Sequence, residues 1–206
     1  LSNYMAFLGW SPKSADREIL SLEEISEIFD LSEINKAGAK FSWEKLNWIN
    51  SQYIKNMESI KLIEIMRKYW DDNGWEPPSQ EWANKLAILI RDSMTLLKDS
   101  IDQSKPFFLI PTIQKEGQDF LENRESKLSL KLILNYLIEQ NTIKLNKEKA
   151  KEIINEISKK HNIKKGILMK SLRVAFFGSL SGPDLIQSWE LFAESKTDRT
   201  RIERCL

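Results

Sequence analysis

The stretch that decides the fold is SLRVAFFGSLSGPDL, residues 171–185. Its first half is apolar with one charge, Arg173, which is typical of a mostly buried helix that ends at Gly178. Glycine suits the position after a helix end because it adopts positive φ without steric cost. Pro183 predicts the start of a second helix, with Asp184 in a first turn that favours acids. This helix–loop–helix corner fits either close contact with a nucleotide base or a plain structural role.

Helical periodicity extends over most of the remaining sequence. Residues that commonly cap helices stand ahead of these apolar patterns at Ser21, Ser42, Ser59, Ser79 and Asn146. No segment shows convincing strand alternation, so we predict an all-α fold. A helix is expected from residue 96 to about 102, and Pro106 and Pro111 predict a break and a module boundary after it.

The charge is distributed unevenly along the chain. The whole chain of 206 residues has a net charge of +1, which excludes a uniformly basic nucleic-acid binder. Residues 121–206 hold 17 Lys/Arg and 11 Asp/Glu, a net of +6, and residues 1–120 have a net of −5. The basic part suits a polyanion, and the alternative is ordinary solvated helix faces.

A single cysteine, Cys205, excludes an internal disulfide and fits a reducing compartment. We expect it to be a surface cysteine at a mobile terminus, with a reactive thiol as the alternative. Trp43 and Trp48 are either buried core residues or platforms on which bases stack. No apolar run is long enough to span a membrane.

We predict no catalytic site and no metal site in this sequence. His161 is the only histidine, so a metal site with two histidines is excluded. It lies at a polar helix end, where a solvated side chain is expected. The loop around Gly178 and Gly182 lacks the lysine of a phosphate-binding P-loop. The carboxylates fall on helix faces among lysines, and no pair is placed as a general acid and base.

Three separated motifs together resemble bacterial-type glutamyl-tRNA synthetases. NYMAFLGWS, residues 3–11, is similar to the family's NYLxLLGWS, and FSWEKLNWINSQYI, residues 41–54, is similar to FDxxKLxWxNxxYI. LRVAFFGSLSGPDL, residues 172–185, and RIERCL, residues 201–206, resemble the closing LRxALTGS…GPxL and RLERxL patterns. The order agrees with the family. Both catalytic signatures of this class I ligase family are missing, which implies a C-terminal tRNA-binding portion.

The resemblance implies a domain organisation. Residues 1–57 are expected to be the end of the stem-contact domain, and residues 58–112 and 113–206 two helical anticodon-binding subdomains. The sequence KLSLK, residues 127–131, only faintly resembles the family's KLSKR signature, and Leu130 belongs to an apolar helix face. We therefore interpret it as helix.

The resemblance also implies site residues. Arg173 and the loop residues Gly182, Pro183 and Leu185 are expected to contact the anticodon region. Arginine offers a planar fork of donors, and leucine and proline offer apolar contact to unstacked bases. Some members of the family have threonine at the position of Gly182. Glycine has no side chain, so only its backbone can contact the tRNA there.

A departure from the family lies at Asp92, beside Arg91. In glutamate-specific members of the family, an arginine three residues before a Thr-Leu pair reads the third and last anticodon base. That pair is Thr95-Leu96 in this sequence. A carboxylate there accepts hydrogen bonds and does not donate them to cytosine. The full enzyme is therefore expected to relax its discrimination and to charge tRNA for glutamine as well as tRNA for glutamate.

Other expectations follow from the same resemblance. The full enzyme is expected to be a cytoplasmic monomer that ligates glutamate to tRNA with ATP and Mg²⁺, while this fragment holds no cofactor. The alternative from the residues alone is a helical protein-interaction module whose tryptophans anchor a partner.

Overall fold

The computed structural model describes residues 1–12, 17–35, 38, 40–140 and 144–206. These residues form twelve α-helices and one short 3₁₀ helix, without a β-strand. The all-α prediction is confirmed. No helix in these ranges is long and apolar enough to cross a membrane. The helices are α1 (Ser2–Gly9), α2 (Leu22–Ile28), α3 (Trp43–Lys55), α4 (Ser59–Asp72), α5 (Gln80–Arg91), α6 (Asp99–Phe108), α7 (Lys115–Leu121), α8 (Arg124–Glu139), α9 (Lys147–His161), α10 (Lys165–Phe177), α11 (Leu185–Glu194) and α12 (Asp198–Glu203).

Side-chain caps start most of the predicted helices where the sequence placed them. Ser21, Ser42, Ser79 and Asn146 each accept a hydrogen bond from a backbone amide of the following turn. Ser59 differs, because it is the first residue of α4 and Glu58 takes the cap position. These caps satisfy amides that a helix leaves without partners, so local sequence fixes where these helices begin.

The start of α11 was predicted two residues too early. The helix begins at Leu185, and Asp184 is its N-cap, with Oδ1 accepting from the Gln187 amide at 2.9 Å. Pro183 lies before the cap. The Asp184 carboxylate accepts a hydrogen bond from an amide in the first turn, which the proline ring cannot do. The polar side chain therefore decides where α11 begins.

The predicted break at Pro106 was wrong. Helix α6 begins at Asp99 and runs through Pro106 to Phe108. Proline costs one backbone hydrogen bond there. The two residues that follow offset this cost by burying aromatic rings, since Phe107 stacks on Phe192 at 5.0 Å and Phe108 stacks on Trp75 at 5.3 Å.

The core is one continuous cluster that draws on α3 through α12. It contains buried residues from Ile54 to Cys205, including Trp70, Trp82 and Trp189, each at most 1% exposed. A second, small cluster holds Trp10, Leu20 and Ile25. The N-terminal residues therefore pack around their own minor core, beside the main one.

Packing crosses the predicted boundary at residue 112 in several places. The indole Nε1 of Trp82 donates to the Leu191 carbonyl at 2.9 Å, and Lys85 pairs with Glu190 and Glu194 on α11. The division into residues 58–112 and 113–206 stays a prediction. Any motion between the two units would have to break these contacts.

Cys205 is buried, which corrects the expectation of a surface cysteine. It is 8% exposed and belongs to the main core, and burial raises the pKa of its thiol. Helix α12 carries it inward, since Arg201 and Ile202 on that helix are fully buried. Its burial shields the thiol from reagents.

Candidate nucleic-acid interface

The end of α10 and the loop after it form a compact corner. Gly178 terminates α10 with φ +71°, and its amide donates to the Val174 carbonyl at 2.9 Å. Ser179 Oγ donates to the Ser181 carbonyl at 2.9 Å and accepts from the Ser181 amide. The loop thus satisfies its own polar groups while residues 181 and 182 stay exposed.

Arg173 closes this corner from the helix side. Its Nη1 donates to the carbonyl oxygens of Gly182 at 2.9 Å and of Pro183 at 3.0 Å. Its side chain is half-buried, and it forms no ion pair with a described carboxylate. The structure therefore brings together three of the predicted site residues, with an uncompensated positive charge beside exposed backbone.

Gly182 leaves no room for a side chain. A Cβ atom at this position would lie 2.8 Å from Cδ2 of Phe177, and the residue has φ +152°. Only glycine adopts such a conformation readily. The loop can therefore offer a bare backbone at this point.

Leu185 occupies a different place from the one expected. Its side chain is 1% exposed and packs in the main core as the first residue of α11. In this conformation it cannot offer an apolar contact to a base, whereas Pro183 is half-buried and partly accessible. The periodic sequence suited both roles, and tertiary packing assigned Leu185 to the core.

Asp92 and Arg91 lie at the end of α5, and no hydrogen bond or ion pair between described residues joins them to the Arg173 corner. The Arg91 Nη2 donates to Ser59 Oγ at 2.7 Å, so this guanidinium is held against α4. Asp92 is exposed and caps the end of α5. Of the two, Asp92 is the residue that a ligand can reach.

The acids that lie near the basic residues 121–206 are engaged in part by other charges. Lys149 pairs with Glu152 inside this unit. Glu190 and Glu194 are bound by Lys85 of α5, and the hydrogen bond to Glu194 is the main factor that raises the pKa of Lys85. This arrangement withdraws two acids from the basic unit and favours attraction of a polyanion.

Trp43 and Trp48 are exposed, so the interpretation of both as buried core residues was wrong. Their exposed fractions are 70% and 45%. Phe41 supports Trp43 edge-on at 4.9 Å and is itself supported by Tyr4 at 5.3 Å. These rings form an apolar surface on the N-terminal unit, residues 1–57.

His161 is exposed in the last turn of α9. In the part of the chain that the structure describes, no three His, Cys, Asp or Glu side chains are grouped as a metal site would require. Residues 127–131 lie inside α8, and Leu130 is fully buried, as the helix interpretation predicted.

Two arginines with a central structural role had no assigned role from sequence. Arg201 Nη1 donates to the Phe176 carbonyl at 3.1 Å, and Arg204 Nη2 donates to the Ala175 carbonyl at 3.1 Å. Both carbonyls belong to the last turn of α10, where cations are favoured. The signal was present as two arginines three residues apart in the closing RIERCL segment, residues 201–206.

The structure is that of an all-α domain with a basic corner, and sequence comparison gives its family. Residues 61–206 match the anticodon binding domain family. Because the match covers more than half of the chain, the chain belongs to that family. The prediction of an anticodon-binding portion is confirmed.

The chain is also similar over its whole length to part of glutamate–tRNA ligases. It is 97% identical over 206 residues to that of Prochlorococcus marinus strain AS9601 and 45% identical to that of strain NATL2A. It spans 43% of the length of each of these relatives. The crystal structure of a glutamate tRNA ligase from Elizabethkingia meningosepticum superposes with a TM-score of 0.90 at 29% identity, over 99% of this chain and 40% of that one.

Proposed function

We propose that this chain binds the anticodon region of tRNA for glutamate and orients it within a glutamate–tRNA ligase, without catalysing a reaction itself. The observation that carries the proposal is the Arg173 corner, where a guanidinium without an acidic partner is hydrogen-bonded to exposed loop backbone. The corner belongs to a chain of the anticodon binding domain family.

The whole protein would ligate glutamate to tRNA using ATP and Mg²⁺. Both would be held by the part of the ligase outside this chain, because the described residues offer neither a phosphate-binding loop nor a cluster of metal ligands. We further propose a monomer that works in the cytoplasm and does not bind a membrane.

The corner suits an unstacked base. Single-stranded RNA loops are read by hydrogen bonds to base edges and by contact with flat surfaces. Arg173 uses Nη1 to hold the loop, and its other guanidinium nitrogens make no hydrogen bond with a described residue. The half-buried ring of Pro183 and the bare backbone at Gly182 lie beside it. Leu185 contributes by anchoring the start of α11 in the core.

Substitution of Arg173 by alanine tests this proposal. We expect affinity for tRNA for glutamate to fall by about 1–3 kcal/mol, because one base contact and one support of the loop are lost. Titration at two salt concentrations measures this, with the same tRNA carrying a changed anticodon in parallel. Arg124→Ala, which removes an exposed arginine of the basic unit, is the matched control.

Equal losses in Arg173→Ala and Arg124→Ala would mean that only general charge matters. Binding indifferent to the anticodon would reduce the site to a generic basic surface. Binding that falls steeply with salt would show phosphate contacts.

Asp92 carries the proposal that the ligase also charges tRNA for glutamine. The residue is exposed at the end of α5 and accepts hydrogen bonds rather than donating them. We expect Asp92→Arg in the full-length ligase to lower charging of tRNA for glutamine relative to tRNA for glutamate by roughly 10-fold or more, since one base contact contributes about 1–3 kcal/mol of discrimination. Aminoacylation assays with both tRNAs measure the ratio.

Asp102→Arg controls for the change of charge, because Asp102 is exposed one helix later. Charging of tRNA for glutamine by the unsubstituted ligase at background level would end the relaxed-discrimination proposal.

A protein-interaction module is the second candidate, favoured by the exposed rings of Phe41, Trp43 and Trp48. Tryptophan often anchors protein interfaces. Apolar docking depends weakly on salt, whereas phosphate binding depends on it steeply, so the titration above separates the two candidates.

A further inference from the structure

The connection between α5 and α6, residues 92–98, has a fixed shape. The side chain of Met94 anchors this connection in the main core, where it is 1% exposed. The carboxylate of Asp99 accepts from the Thr95 amide at 2.9 Å and from the Leu96 amide at 2.7 Å. Ser93 Oγ donates to the Ile90 carbonyl at 2.7 Å. These bonds satisfy the polar groups of the loop and hold its backbone in place.

A further tie comes from a helix far away in the sequence. The side-chain amide Nδ2 of Asn50, on α3, donates to the Thr95 carbonyl at 2.5 Å across 45 residues. Ile54 and Met57, just beyond Asn50, pack against the main core. Apolar packing therefore holds the end of α3 on the main core, and a directional hydrogen bond joins α3 to the 92–98 loop.

We propose that Asn50 is a positioning residue that sets the orientation of the 92–98 loop, and so the preference for the third anticodon base. This inference rests on the proposed function and takes Asp92, at the start of the loop, as the residue that reads that base. Thr95 transmits the effect, because its carbonyl is bound to Asn50 and its amide to Asp99. Asn50 lies on α3, in the unit expected to contact the tRNA stem, so one hydrogen bond links both regions.

Asn50→Ala removes the donor, and Asn50→Asp keeps the shape but places an acceptor against the Thr95 carbonyl. Asn47→Ala, an exposed asparagine on the same helix, is the matched control. Amide hydrogen exchange at residues 93–97 is measured on the chain. Charging of tRNAs with cytosine or guanine as the third anticodon base is measured on the full-length ligase.

Both Asn50 variants should speed exchange at Thr95 and Leu96 and change the cytosine-to-guanine charging ratio by about 2–10-fold, the range for one neutral hydrogen bond. Asn47→Ala should change neither. Faster exchange with an unchanged ratio overturns the specificity role, and unchanged exchange overturns the positioning role. If the unsubstituted ligase charges tRNAs regardless of their anticodon, the proposed function itself fails. Hydrogen exchange does not depend on charging, so it still reports whether Asn50 positions the loop.

Discussion

Replacement of Arg201 by methionine should lower the free energy of unfolding by about 3 kcal/mol or more. Its guanidinium is fully buried, donates to the carbonyls of Phe176 and Leu109 and to Thr197 Oγ1, and lies 4.2 Å from the centre of the Phe192 ring. Methionine fills much of the same volume but donates nothing. The Phe176 carbonyl is buried, and a buried acceptor left without a partner costs about 1–3 kcal/mol. The Leu109 carbonyl and Thr197 Oγ1 are partly buried, and the loss of their bonds adds to this cost.

The charge on Arg201 persists despite its burial. Burial lowers the pKa of Arg201 to about 10, with a smaller effect from Arg204 nearby. This pKa remains well above neutral, so the side chain acts as a cation at the C-terminal end of α10, where the helix dipole favours it. The loss on substitution therefore includes this charge–dipole attraction as well as the hydrogen bonds.

Urea denaturation at neutral pH measures the Arg201 effect, and Arg124→Met is the control. Arg124 is exposed in the first turn of α8, so its substitution should change stability by no more than about 0.5 kcal/mol. A loss below about 1 kcal/mol in Arg201→Met would show that the surrounding backbone relaxes and that water reaches the freed carbonyls.

What the sequence revealed about the fold depended on local interactions. The caps at Ser21 and Asn146 bond to amides three residues away, so their positions could be read directly. Pro106 misled because the rings that offset its cost pack on partners far along the chain, such as Phe192. Arg201 and Arg204 bond to carbonyls 25 or more residues away, and a sequence pattern cannot show such partners.

The candidate site was likewise predictable where its contacts are local and not where they are distant in sequence. Arg173 and Gly182 are nine residues apart across one turn, and their contact agrees with the predicted corner. Leu185 is buried although the resemblance implied contact with the anticodon, and Trp43 is exposed although tryptophan is commonly buried. Exposure depends on which surfaces the other helices cover. Asn50 gave no sign of its partner, since Thr95 is 45 residues away.

The segment between α6 and α7 crosses the end of α10, and Gly178 is the point of closest approach. A Cβ atom on Gly178 would lie 2.2 Å from the Thr112 carbonyl oxygen, far inside contact distance. The segment is fixed on both sides, since the Gln114 amide donates to the Gly178 carbonyl at 2.7 Å and Arg204 donates to the Pro111 carbonyl. The backbone there cannot move away without breaking these bonds.

Gly178→Ala should therefore destabilise the chain by about 2–5 kcal/mol, the sum of a left-handed conformation at about 1–2 kcal/mol and overpacking at about 1–3 kcal/mol. Gly74→Ala is a closely matched control, because Gly74 has φ +69° just past α4 and nothing lies within 4 Å of its Cβ position. It should cost only the first part. Denaturation of both variants isolates the collision as their difference. Equal losses would mean that the crossing segment yields and that the contact at Thr112 adds nothing to the cost.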